Sequence, residues 1–259
     1  ILQRLAYLFA TRSLNSNAEK SILYTIDKLS DKQVSIIEVV KMEKIVDERR
    51  DIKQLARQGE FGKLGWFQKC LFFLFGNRAT KHFQTIILPL YAQVEKGVQL
   101  EYQQGAPILE HVGKKTLEIA HRSGNPGAGM IFSPAEYMAE TFFSISFPSW
   151  ERAFKHSLTV PTLRNGLKII HRLNDYHRQY GYYPETLMEL PQPSSQPLPL
   201  DVYTGGHLLY RRADTSFVLY SPGHNGTDDH ADKTDDVVVF TTEITDTVYW
   251  DSILRSLRK

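Results

Sequence analysis

The chain has a single cysteine, Cys70, so no intrachain disulfide can form. Its net charge is only +2, too small to argue for a nucleic-acid partner or an anionic membrane surface. No apolar run approaches the roughly 20 residues needed to cross a bilayer. The nearest is Leu64–Phe75, which is short, interrupted by Lys69, and reads as a buried helix. A membrane-surface or partner-docking segment is the other reading of that stretch, with Trp66, Phe67, Phe72, Phe73 and Phe75 as its contact residues. Several catalytic signatures are missing too. There is no Gly-x-Ser-x-Gly elbow and no His-Glu-x-x-His pair. The glycine-rich stretch Ser123–Gly129 lacks the Gly-Lys-Ser/Thr of a phosphate loop. The chain opens on Ile1 with neither a starting methionine nor a signal peptide, which fits an anchor lying upstream.

At 259 residues, 42% hydrophobic and 23% charged, the chain is long enough and apolar enough for a packed core. Residues 1–160 read as helices. Val34, Ile37, Val40 (or Val39), Ile45 and Val46 recur near a 3.6-residue period, and the charged run from Asp47 to Lys53 reads as a solvated helix face. A second helix is expected from Asn77, as N-cap, to Gln103, with Phe83, Ile86, Ile87, Leu90, Tyr91 and Val94 as its apolar stripe. A third spans Ile108 to His121, and Ser133-Pro134 marks a helix start. A long helix should run from Ser149 to Tyr180, split or kinked at Pro161 and capped by Gly181. Its stripe is Leu163, Leu167, Ile170, Leu173, His177 and Tyr180.

After Gly181 the pattern changes. A short helix over Tyr183–Leu190 leads into a connector with prolines at 191, 193, 197 and 199. Strand candidates follow at His207–Arg212, Ser216–Tyr220 and Val237–Thr242, the first two joined by a hairpin turn at Ala213–Thr215. The tail 243–259 reads as a final helix bearing Trp250, Ile253, Leu254 and Leu257. The fold class is therefore α+β, a large helical region followed by a small antiparallel sheet.

The sharpest chemical signal is Ser221–Asp236, where five aspartates, one asparagine and two glycines share one loop between apolar strands. So many carboxylates repel one another unless a cation sits among them. A hard cation such as Ca²⁺ suits several oxygen ligands. The loop is not an EF-hand, because placing Gly226 at the sixth position puts Gly223, with no side-chain ligand, at the third. A solvated acidic turn closed by Asx-type hydrogen bonds is the alternative. Zinc, with His224 and His230 nearby, is another, though a third strong ligand is not evident. Elsewhere Glu118-Ile-Ala-His121 has the Glu-x-x-His spacing of carboxylate-bridged bundles but no second copy, and Cys70 reads as a small buried hydrophobe.

Tyr176–Leu190, then Pro199–Tyr210, then Phe217–Gly226, then an acidic loop closing on Thr234-Asp235-Asp236-Val237 form an ordered series. In that order they resemble the globular domain of the major pseudopilin of type II secretion systems. They also resemble bacterial proteins, often membrane-anchored, that end in the same module. The resemblance spans about residues 161–242 and divides the chain into a helical region 1–160, that module, and the tail 243–259. It implies a long helix packed on a small antiparallel sheet, with Ca²⁺ held between the last two strands. The ligands it implies are the side chains of Asn225, Asp228, Asp235 and Asp236 and the backbone carbonyls of Leu219 and Ser221. The chain departs from the family in three ways. Asp201-Val202-Tyr203 replaces an Asp-Pro-aromatic turn, the prepilin cleavage motif and its apolar helix are absent, and a large helical region stands in their place. The implied role is a non-enzymatic, extracytoplasmic scaffold or interaction protein with a protein partner. Two alternatives remain: an enzyme using a groove lined by Glu110, His111, Glu118 and His121, or a peptide- or lipid-binding module beside Trp66–Phe75.

Overall fold

The computed structural model describes residues 2–11, 14–30, 35–49, 51, 54, 66–123, 133–147, 149–191, 197–232 and 236–241. The tail with Trp250, the glycine-rich stretch from 124 to 130, and Asp235 lie outside the described residues, as do the side chains of Trp66, Phe67, Cys70 and Phe72. The chain forms an α+β fold with a large helical part and one three-stranded antiparallel sheet. It divides into two compact units, residues 34–157 and residues 1–33 with 158–259.

The first unit is all helix among the described residues. It comprises α3 (Ile36–Glu48), α4 (Trp66–Gln99), α5 (Tyr102–Ser123), α6 (Pro134–Ser146) and α7 (Trp150–Ser157). Ser35 caps α3 with a capping box, its hydroxyl accepting from the Glu38 N–H while the Glu38 carboxylate accepts from the Ser35 N–H. The α3 stripe differs from the one the periodicity predicts. Val40 is buried, but Ile45 and Val46 are largely exposed, and Asp47 turns inward to accept from the Tyr91 hydroxyl at 2.7 Å. The reading of Asp47 as part of a solvated face therefore fails, because a buried carboxylate is tolerated where a phenol supplies its hydrogen bond. Asn77 is no cap either, since α4 runs unbroken from Trp66, and the apolar run is its first part. Phe73 and Leu74 there are 67% and 68% exposed, against the expectation of a buried segment. The α4 stripe does seat Phe83, Ile87, Leu90, Tyr91 and Val94 in the core, where Tyr91 meets Phe147 and Trp150 edge-on.

The second unit comprises α1 (Leu2–Ala10), α2 (Ser16–Ser30), α8 (Thr159–Tyr180), a 3₁₀ turn (Leu187–Glu189), β1 (Leu209–Ala213), β2 (Ser216–Ser221) and β3 (Val237–Phe240). The long helix expected from Ser149 is split at Leu158, which leaves Pro161 in the first turn of α8, where its missing N–H costs nothing. Gly181 ends α8 at φ +84°, its N–H on the His177 carbonyl at 2.8 Å. The sheet order is β1-β2-β3, both pairs antiparallel, with a bulge where Leu219 pairs Phe240 but Tyr220 pairs Val238, so Val239 is the extra residue. Leu163, Leu167, Ile170 and Leu173 of α8 pack with Phe217, Leu219, Val239 and Phe240 of the sheet, and Ala6 and Phe9 of α1 join the same core. The first two helices thus belong with the C-terminal third, whereas the sequence reading grouped them with the helical region. Tyr180, expected on the α8 stripe, is about half exposed and leans on Tyr176 instead.

Candidate metal centre

The acidic loop joins β2 to β3 and folds back over the outer face of the sheet, where Ala231 packs against Val218, Tyr220 and Val238. Below it sits the turn at Asp201. This carboxylate is fully buried and accepts from the Tyr203 N–H at 3.2 Å, the Thr204 hydroxyl at 2.8 Å and the Ser221 hydroxyl at 2.9 Å. Its side chain closes the turn over Asp201–Thr204. Ser221 in turn accepts from the Gly223 N–H at 3.0 Å, so its hydroxyl ties the start of the loop to that turn.

Of the residues implied as ligands, Leu219 and Ser221 lie buried on β2, with the bulge beside Leu219. Asn225 is exposed, its amide oxygen accepting from the Thr227 N–H at 2.9 Å and its amide nitrogen donating to Asp229 at 3.0 Å. That is the Asx-type turn weighed as the alternative. Asp228 accepts from the Tyr220 hydroxyl at 2.8 Å and the His230 N–H at 3.0 Å, and these bonds hold its carboxyl below the ordinary value. Loss of water, and then the bond to Asp228, push the Tyr220 phenol up to about 12.

Asp236 differs from the rest. It is 5% exposed, and Oδ2 accepts from the Ala231 N–H at 2.8 Å. Oδ1 is buried and has no hydrogen-bond partner among the described residues. Burial raises the pKa of this carboxyl above the ordinary value, and the charges of Asp229 and Asp228 raise it further. His230 and Ala231 both hold positive φ, at 60° and 69°, a conformation that costs a non-glycine residue roughly 1–2 kcal/mol. Their N–H groups are the ones that reach Asp228 and Asp236. The strained backbone and the carboxylates therefore hold each other in place.

The donor chemistry fits a hard cation: a buried carboxylate oxygen with no hydrogen-bond partner among the described residues, and two further carboxylates near enough to repel it. Asp229 was missed in the sequence reading. Its position directly after Asp228, in reach of Asn225, was the available signal. Among the described residues, no three histidine, cysteine or acidic side chains are drawn close enough to hold an ion by themselves. His230 is mostly exposed and lies 3.7 Å from Asp228.

The alternative groove on α5 does not form, since Glu110, His111, Glu118 and His121 are all exposed and Glu110 pairs with Lys114 at 2.7 Å. Among the described residues, no helix is long and apolar enough to cross a membrane.

A polar cluster that sequence reasoning did not anticipate lies on α8. Glu19 is fully buried and faces His171 Nδ1 at 2.6 Å, Asn174 Nδ2 at 3.0 Å and Arg178 at 2.8 Å. Asn174 also donates to the Phe9 carbonyl at 2.8 Å, and Asp175 pairs with Arg178 at 2.7 Å.

No protein-family description, curated protein or solved structure matches this chain.

Proposed function

We propose that this is a non-enzymatic, extracytoplasmic scaffold or interaction protein whose residues 161–242 form a Ca²⁺-stabilised, pseudopilin-like module related to type II secretion components. The observation that carries the reading is Asp236, a buried carboxylate with one oxygen lacking a hydrogen-bond partner among the described residues and two neighbouring carboxylates raising its energy. Asn225, Asp228, Asp229, Asp235 and Asp236 are the side chains that would hold the ion, with the carbonyls of Leu219 and Ser221 near the bulge. Bound there, Ca²⁺ supplies positive charge and no redox or acid–base chemistry.

The chain's own contribution is to keep the oxygens together. Tyr220 and the His230 N–H orient Asp228, and the Ala231 N–H orients Asp236. An ion that binds only the folded loop stabilises it by mass action, about 1.4 kcal/mol when free Ca²⁺ exceeds its dissociation constant roughly tenfold. A site with a dissociation constant of about 10⁻⁴–10⁻³ M would still be filled where extracellular Ca²⁺ is plentiful.

The test is calorimetric melting in EGTA and in millimolar Ca²⁺, with elemental analysis of the purified protein. A higher melting temperature in Ca²⁺ but not in Mg²⁺, lost in Asp236→Ala, is expected. Identical melting in both media and no bound calcium would remove the proposal.

A further inference from the structure

A groove of about 660 Å³ runs between α2 and α8, with Pro191, Pro197 and Pro199 along one side. Its residues all belong to one compact unit. The acids around it are already engaged by bases. Asp27 pairs with Lys168 at 2.9 Å, Asp175 with Arg178 at 2.7 Å, and Glu19 with His171 and Arg178. Lys20 lines the groove, is exposed, and has no ion-pair partner among the described residues. Arg172, half-buried, donates to the Pro197 carbonyl at 3.1 Å and so fixes the proline wall to α8. Among the lining residues Lys20, Lys168 and Arg172 outnumber Asp27 and Asp175, so its field favours an anion.

The shape narrows the ligand class. Lys168 and Gln179 both line the groove, and their separation on α8 corresponds to about 16 Å at the helical rise. An extended chain covers that length with about five residues. Leu23, Tyr176 and the prolines offer apolar surface between the charges, suited to a peptide backbone and the aliphatic part of its side chains. An inorganic anion would use little of this length.

We infer that the groove between α2 and α8 binds an extended acidic peptide segment, its carboxylates directed at Lys20 and Arg172 and its backbone laid along Tyr176 and the proline wall. The inference stands apart from the calcium reading, because none of these residues lies in the acidic loop.

The experiment is fluorescence anisotropy of a labelled hexaglutamate peptide titrated with the full chain at low salt. Saturable binding is expected, weakened about tenfold by Lys20→Glu. Lys28→Glu makes the same charge change on an exposed α2 position outside the groove, and should alter affinity less than about twofold. A labelled hexaserine peptide should not saturate. Equal weakening by both lysine variants, equal binding of hexaserine, no saturable binding, or full displacement by equimolar inorganic phosphate would each overturn the inference.

Discussion

Val239, the extra residue of the β3 bulge, rests on the backbone of Gly166. A methyl group built on that glycine would lie 2.5 Å from Val239 Cγ1 and 2.7 Å from Cγ2. The bulge and the glycine are therefore one feature, in which the sheet reaches toward α8 at the point where the helix has no side chain.

Gly166→Ala should destabilise the protein despite the better helix propensity of alanine. Overpacking of a tight core site costs about 1–3 kcal/mol, and the propensity gain of about 1 kcal/mol offsets only part of it. A net loss of up to about 2 kcal/mol in urea unfolding is expected. The double variant Gly166→Ala, Val239→Ala should show positive coupling, since the second change removes the clashing methyls.

Glu19→Ala should cost more, about 3–5 kcal/mol, because it leaves Arg178, His171 and Asn174 facing a buried site without their acceptor. Glu19→Gln keeps an acceptor oxygen and should cost less. Chemical denaturation of the two variants separates these outcomes, and equal, small losses would show that the cluster contributes little.

The Asp236 carboxyl binds its proton more tightly in the folded state than in the unfolded one. Its stabilising contribution is thus complete below the unfolded carboxylate value of about 3.9 and is lost as pH rises through the higher folded value. Near neutral pH and in EGTA, the ionised group opposes folding. Asp236→Asn keeps an acceptor for the Ala231 N–H and removes the charge. It should raise the melting temperature in EGTA by about 2–4 °C and lower it in Ca²⁺. A shift of the same sign in both media would separate this residue from any ion.

Much of the fold was legible because its signals are local. Gly181 carries its own cap, Pro161 favours the first turn of a helix, and Ser216–Tyr220 is a recognisable strand. The acidic loop was legible as a concentration of charge, but not in its inner arrangement. That Asp236 would be the buried member, and Asp228 the one held by Tyr220, depends on how the loop folds over the sheet. Asn77 misled because an asparagine within a helix costs well under 1 kcal/mol, too little to break one that extends from Trp66. The Glu19 cluster was invisible because its members are far apart in sequence, with nothing near Glu19 to announce that α2 docks on α8.

That docking has a kinetic consequence. Asn174 bonds the carbonyl of Phe9, which lies 165 residues earlier in the chain. At about 5–20 residues per second of translation, α1 emerges from the ribosome roughly 8–30 s before its seat exists. For that interval Phe9 and its neighbours have no native partner on α8. A nascent-chain binding factor would find its substrate at α1 rather than in the strands, which are made later.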